Sequence, residues 1–281
     1  MKKKIKKNAK ITLINPEKKL SEFKSTFTSL KEDEPIKINI KSNELFENET
    51  RNNMVKWLVF LCDTLNFNFQ TLNRAIIIFD KYISVTDLLE NEDLTQEKMN
   101  LITIGCLSLA TKLEEINCNY VKFFTDKVIN LPDCQIFSVK DLTKMELIIL
   151  KKLSFKTLYT TAYDFLLYFL DIFQYFYNPS NYFFENIKNH ALFLMKQNIN
   201  TNLYISMSQS DYAIFCLYQA FLEIGNNDIM QKILNILILL NNDIDNNDLK
   251  RQNRTDDISD KFEKIDIFRN SQVNIFSLSS F

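Results

Sequence analysis

Glycine occurs twice and proline four times in 281 residues. A sandwich or barrel with many tight turns needs more of both, so the sequence argues against an all-β fold. Gly105 and Gly225 stand too far apart to write a P-loop or a G-x-G-x-x-G phosphate cradle. His190 is the single histidine, which removes H-E-x-x-H and any site built from several imidazoles. The five cysteines (62, 106, 118, 134, 216) form no C-x-x-C pair, so zinc ribbons and dithiol redox motifs are absent. Their odd number, without an N-terminal apolar run, argues against a secreted disulfide scaffold and for small buried hydrophobes in a reducing compartment.

No stretch reaches the eighteen or so apolar residues of a membrane span. The most apolar window, residues 233–240, is interrupted by Asn235. A net charge of −1 gives no general field for nucleic acid. The chain reads as soluble and intracellular, with no direct nucleic-acid or membrane partner.

What is present is helical periodicity. Residues 1–43 open on MKKKIKKNAK and read as a mobile basic arm. Such a cluster serves as a nuclear-import signal or follows from a lysine-rich composition, with 29 Lys against 5 Arg. From 44 to 158 five helix-length apolar patterns follow one another. Met54, Trp57, Leu58, Leu61, Cys62 and Leu65 form the first stripe. The second, with Thr71 as its N-cap, runs through Leu72, Ala75, Ile76, Phe79 and Ile83. The third, Glu97 to Glu114, is apolar nearly all round and therefore belongs inside. The fourth covers 119–130. The fifth starts at Ser138 with Asp141 three residues on, a capping box, and runs to Leu153. A second block, 159–242, is again helical but less sharply written, with pieces at 162–175, 182–198, 208–223 and 229–240. The predicted fold is all-α, two tandem five-helix bundles, the second divergent and incomplete. The tail 243–281 is too polar to offset its ordering entropy and reads as mostly disordered.

The informative residues are charges inside apolar stripes. Asp80 lies between Ile76 and Ile83 on one helix face, so its carboxylate points at the core and needs a partner. Arg51 is its expected partner, because a planar guanidinium binds a carboxylate bidentately and stays charged when buried. Lys112 shares a face with Leu101, and the small residues Gly105 and Ser108 between them let another helix approach. Glu146 sits within the stripe of Leu142, Met145, Ile149 and Leu153. Lys112 and Glu146 either form a salt bridge at the rim of the bundle or point into an interface. Glu114 and Glu115 oppose the dipole at a helix C-terminus, which suggests something positive outside this chain.

The strings RNNMVKWLVFL (51–61), FDKYIS (79–84), LITIGCLSLATKLEEI (101–116) and KMELIILKKLSF (144–155) together resemble the cyclin box. The likeness covers about 44–160 well and is closest to the cell-cycle cyclins; 159–242 resembles the second cyclin fold in position only. The resemblance implies that Arg51 and Asp80 form an internal ion pair and that Leu101, with Trp57, lies in the core. It also implies that Lys112 and Glu146 contact a cyclin-dependent protein kinase. The implied protein is a regulatory subunit without catalytic groups or cofactor, in nucleus and cytoplasm, activating its kinase in a heterodimer. Kinase substrates or inhibitors are further possible binders, and exposed Phe and Tyr on the third to fifth helices are the expected anchors.

The departures from the family concern substrate docking. Of the patch that binds Arg-x-Leu motifs in many cell-cycle cyclins only Met54 and Trp57 match. Thr50, Asn53 and Phe60 stand where a Met, an apolar residue and an acid are usual. Residues 1–40 hold no arginine and so no R-x-x-L destruction box. Two rival readings are a cyclin-fold scaffold that activates no kinase and a transcription-associated cyclin-fold protein. The latter is disfavoured by the missing basic face and zinc ribbon. An enzyme built on His190 lacks a second catalytic member.

Overall fold

Helix α4 (Gln96–Glu114) is buried continuously from Ile102 to Thr111, and the helices before and after it wrap around it. Thr95 caps its N-terminus through the Lys98 amide. The computed structural model describes residues 16–35, 49–86, 95–115, 127 and 138–224. They belong to a compact unit, Met1–Leu234; a second unit, Asn235–Phe281, lies outside the described residues. Among the described residues the chain forms helices and no strand.

Besides α4, the first half holds α2 (Glu49–Leu65), α3 (Phe69–Val85) and α5 (Val139–Lys152). The second holds α6 (Ala162–Tyr177), α7 (Asn181–Asn198), the short α8 (Asn202–Ser206) and α9 (Gln209–Ile224). The capping box expected at Ser138–Asp141 is formed, and Thr161–Asp164 makes a second one that the sequence reading did not name. The start of α3 differs from expectation: Asn68 is the N-cap residue, and Thr71 lies inside the first turn, where its hydroxyl donates to Glu115 at 2.6 Å. Apart from Lys127, the fourth helix expected at 119–130, the piece at 229–240 and the tail lie outside the described residues.

The expected mobile arm is the largest correction. Residues 16–32 form helix α1 (Pro16–Glu32), with Pro16 at the first helical position, where its missing N–H costs nothing. Phe23 and Phe27 are buried against Phe165, Tyr168 and Phe169 of α6, and the Tyr168 hydroxyl donates to the Phe23 carbonyl at 2.7 Å. Beyond the helix, Glu34 accepts the Ser210 amide at 2.7 Å and so caps α9 from a distant part of the chain. Two aromatic residues one turn apart outweigh the lysine-rich composition around them.

Candidate functional site

The seam between α4 and α5 is made possible by Gly105. A Cβ there would stand 3.0 Å from Ile149 Cδ1 and 3.1 Å from Met145 Cγ, so α5 approaches closer than an alanine permits. One turn on, Ser108 Oγ donates to Glu146 Oε1 at 2.5 Å. A further turn brings Lys112 Nζ to 2.6 Å from both carboxylate oxygens. Glu146 is only 7% exposed, while Lys112 reaches solvent. Three donors therefore satisfy the buried acid. An ammonium carries three protons, so Lys112 retains one donor for a carbonyl arriving from outside.

Exposed apolar side chains lie on both helices and just past the end of α5. Leu113, Leu147, Ile148, Phe155 and Leu158 are all exposed. Phe155 follows α5 in a turn where Ser154 (φ 50) and Phe155 (φ 60) both adopt the left-handed region. Such conformations cost about 1–3 kcal/mol each in non-glycine residues. The Phe155 amide donates to Leu150 O at 2.7 Å, which holds the turn closed and the ring outward. Of the helices expected to carry aromatic anchors, α4 and α5 contain no Phe or Tyr, and the aromatic residues of the fourth lie outside the described residues.

Arg51 and Asp80 meet as two parallel bonds, Nε to Oδ1 and Nη2 to Oδ2, both 2.7 Å. Burial pushes the guanidinium pKa down, but the adjacent carboxylate outweighs it and leaves Arg51 above its ordinary value. The Tyr204 ring of α8 lies 5.5 Å from the guanidinium. The pair therefore joins α2 and α3 to the second half as well as to each other. Sequence reasoning missed Tyr204, and it missed Arg74, a second buried arginine. Arg74 donates to Glu114 at 2.7 Å and to the Tyr159 carbonyl, and lies 3.8 Å from Asp164 of α6. The argument that singled out Arg51, an arginine in a lysine-rich chain beside apolar residues, applies equally to it.

Three expected placements change. Leu101 is half-buried instead of core, because it lies one turn beyond the Gly105–Ile149 contact, towards the end of α5, where the covering helix runs out. Trp57 is likewise half-buried. Glu114 and Glu115 find their positive partners inside the chain. Glu114 binds Arg74; Glu115 accepts the Asn68 amide at 2.8 Å, its side-chain nitrogen at 2.9 Å and the Thr71 hydroxyl, at the positive end of the α3 dipole. Of the substrate-docking patch, Met54 is buried and turned away from any incoming peptide, while Asn53 and Phe60 are exposed. His190 pairs with Glu223 and stacks on Phe193. Among the described residues no cluster of His, Cys, Asp and Glu could hold a metal ion, and no helix is long and apolar enough to cross a membrane.

Comparison with known proteins agrees with this architecture. A family profile described as the cyclin N-terminal domain matches residues 23–158, beginning within α1. Cyclin-D2-2 of Oryza sativa subsp. japonica is 31% identical over 131 residues, 44% of this chain and 33% of the relative. Cyclin-D4-1 of Arabidopsis thaliana is 29% identical over 131 residues, 47% of this chain and 40% of the relative. The matched part thus spans well under half the length of these two relatives. The X-ray structure of a viral cyclin from herpesvirus saimiri superposes with a TM-score of 0.56 at 16% identity. It covers 79% of this chain and 94% of the viral one. That overlap exceeds the 23–158 span and includes helices of both halves. With the four sequence segments, the family match and the shared all-α fold in agreement, residues 23–158 match a cyclin N-terminal domain and the chain shares the cyclin fold.

Proposed function

We propose that this chain is the regulatory subunit of a cyclin-dependent serine/threonine protein kinase, acting in nucleus and cytoplasm. The observation that carries this reading is the Lys112–Glu146–Ser108 cluster, an ion pair with one donor left over, on helices that also expose apolar side chains. A protein kinase is active when a strand lysine pairs with a glutamate of its C helix. A helical face that binds that C helix better in its inward position shifts the population towards the active form. The spare Lys112 donor suits a backbone carbonyl of the docked helix, and Leu113 and Phe155 supply the apolar contact. The chain adds no catalytic group; differential affinity does the work.

The test is to purify the full chain with each cyclin-dependent kinase of its own cells and measure phosphorylation of a generic serine peptide. One kinase is expected to bind stoichiometrically and gain activity. The Lys112→Ala/Glu146→Ala variant, folded by circular dichroism, is expected to lose both. Equal kinase activity with and without the chain, across all partners, would reject the reading.

A further inference from the structure

Helix α4 buries three hydroxyl side chains, Thr103, Ser108 and Thr111. A hydroxyl inside a helix ordinarily returns to a carbonyl of the preceding turn. Thr103 does so, donating to the Met99 carbonyl at 2.8 Å, and Thr111 donates to the Ser108 carbonyl at 2.8 Å. Ser108 does not: its hydroxyl crosses the seam to Glu146 of α5. It stands among Ile104, Cys106, Leu107, Leu109 and Ala110, all buried and apolar, where packing alone asks for no polar atom.

Ser108 and Lys112 hold the same carboxylate in different ways. Ser108 is 1% exposed and donates to Oε1 from the buried side. The Lys112 side chain is 31% exposed and spans both oxygens from the solvent side. A lysine ammonium is a point charge on a flexible stem, so alone it would follow the carboxylate through many arrangements. Serine has a short side chain, and here it stands on a buried, capped helix, so it fixes Oε1 relative to α4. With Oε1 fixed, the two bonds from Lys112 fix Nζ, and its third N–H is left with one direction.

We propose that Ser108 is a positioning residue of the candidate site: acting through Glu146, it aims the spare Lys112 proton at the incoming partner. This role rests on the kinase-binding reading above and adds the residue that preorganises it. Ordering Lys112 before the encounter removes part of the ordering cost from the binding step.

The test reads the full chain first alone and then with its partner. In chain carrying isotope-labelled lysine, the Lys112 ammonium resonance is identified by its loss in Lys112→Met. It is expected to stand apart from the solvent-exposed lysines in wild type and to move to their position in Ser108→Ala. Binding of each purified cyclin-dependent kinase subunit of its own cells is then measured, and Ser108→Ala is expected to raise Kd roughly three- to tenfold for the kinase that binds. Ser108→Cys keeps the size and a weak S–H donor, so it is expected to lie between the two proteins on both readings, and it carries the test where the alanine variant does not fold. A merely structural hydroxyl would lower the melting temperature and leave both readings at their wild-type values. An unmoved Lys112 resonance, or a moved resonance with a wild-type Kd, overturns the role of Ser108 and leaves the kinase-binding reading standing. Failure of wild type to bind any of the kinases overturns both.

Discussion

Glu146 owes its place at the α4–α5 seam to two side chains of α4. Its carboxylate is buried at the α4–α5 seam and depends on Lys112 and Ser108 for all its hydrogen bonds among the described residues. Removing Lys112 alone leaves a buried charge under-satisfied, which costs about 1–3 kcal/mol. Lys112→Met is therefore expected to lower the melting temperature, and adding Glu146→Leu to restore most of the loss. Equal destabilisation of single and double variants in thermal melts would show that the pair does not act as a unit. Arg51 makes the sharper case, since both partners are buried. Arg51→Ala should cost about 3–5 kcal/mol by stranding Asp80. Arg51→Lys should still lose one charge-assisted bond, about 1.5–3 kcal/mol, because an ammonium cannot reproduce the two-pronged geometry. Urea titrations of the three proteins check that order, and a lysine variant as stable as wild type contradicts it.

At the scale of elements, the places where chemistry writes itself locally were the legible ones. The capping box at Ser138, the all-round apolar α4 and the small face of Gly105 and Ser108 follow from short-range pattern, and each is formed. The Arg51–Asp80 pair was readable because a buried carboxylate has few admissible partners. Helix α1 was not, because its two phenylalanines stand among lysines and gain their burial from α6, more than 130 positions away. Glu115 was misread for the same reason: its partner is the start of α3, adjacent in space and far in sequence. The same logic predicts how much α1 matters. Phe27 is 3% exposed and touches Phe165, Tyr168 and Phe169, so Phe27→Ala should cost about 3–5 kcal/mol. Limited proteolysis should then cut within 16–32 in the variant and spare it in wild type. A truly mobile arm would be cut equally in both.

For the described part of the molecule as a whole, the two halves are joined by buried polar contacts in addition to packing. Tyr204 lies against the Arg51 guanidinium and its hydroxyl donates to Gln209 Oε1 at 3.3 Å, an oxygen that also accepts the Ala162 amide at 3.1 Å. Arg74 links α3 to the Tyr159 carbonyl and Asp164, and α1 rests on α6 and α9. Breaking the halves apart would take Tyr204 from Arg51, Asp164 from Arg74 and the Ser210 amide from Glu34 together, so separation is expected to coincide with global unfolding. The cysteines report on this. Cys62 and Cys106 lie in the first half, Cys216 in the second, and all three are buried free thiols. Burial in particular, with Asp63 and Glu115 nearby, pushes the Cys62 thiol up to about 12, and burial raises the other two as well. The reactive thiolate is therefore scarce at pH 8 until the chain opens. Pulse alkylation across a urea series, with the labelled sites identified by mass spectrometry, should show all three becoming reactive at the same midpoint. Labelling of Cys216 at distinctly lower urea than Cys106 would mean that the second half opens by itself. The buried arginines would then be local staples and not the joint between the halves.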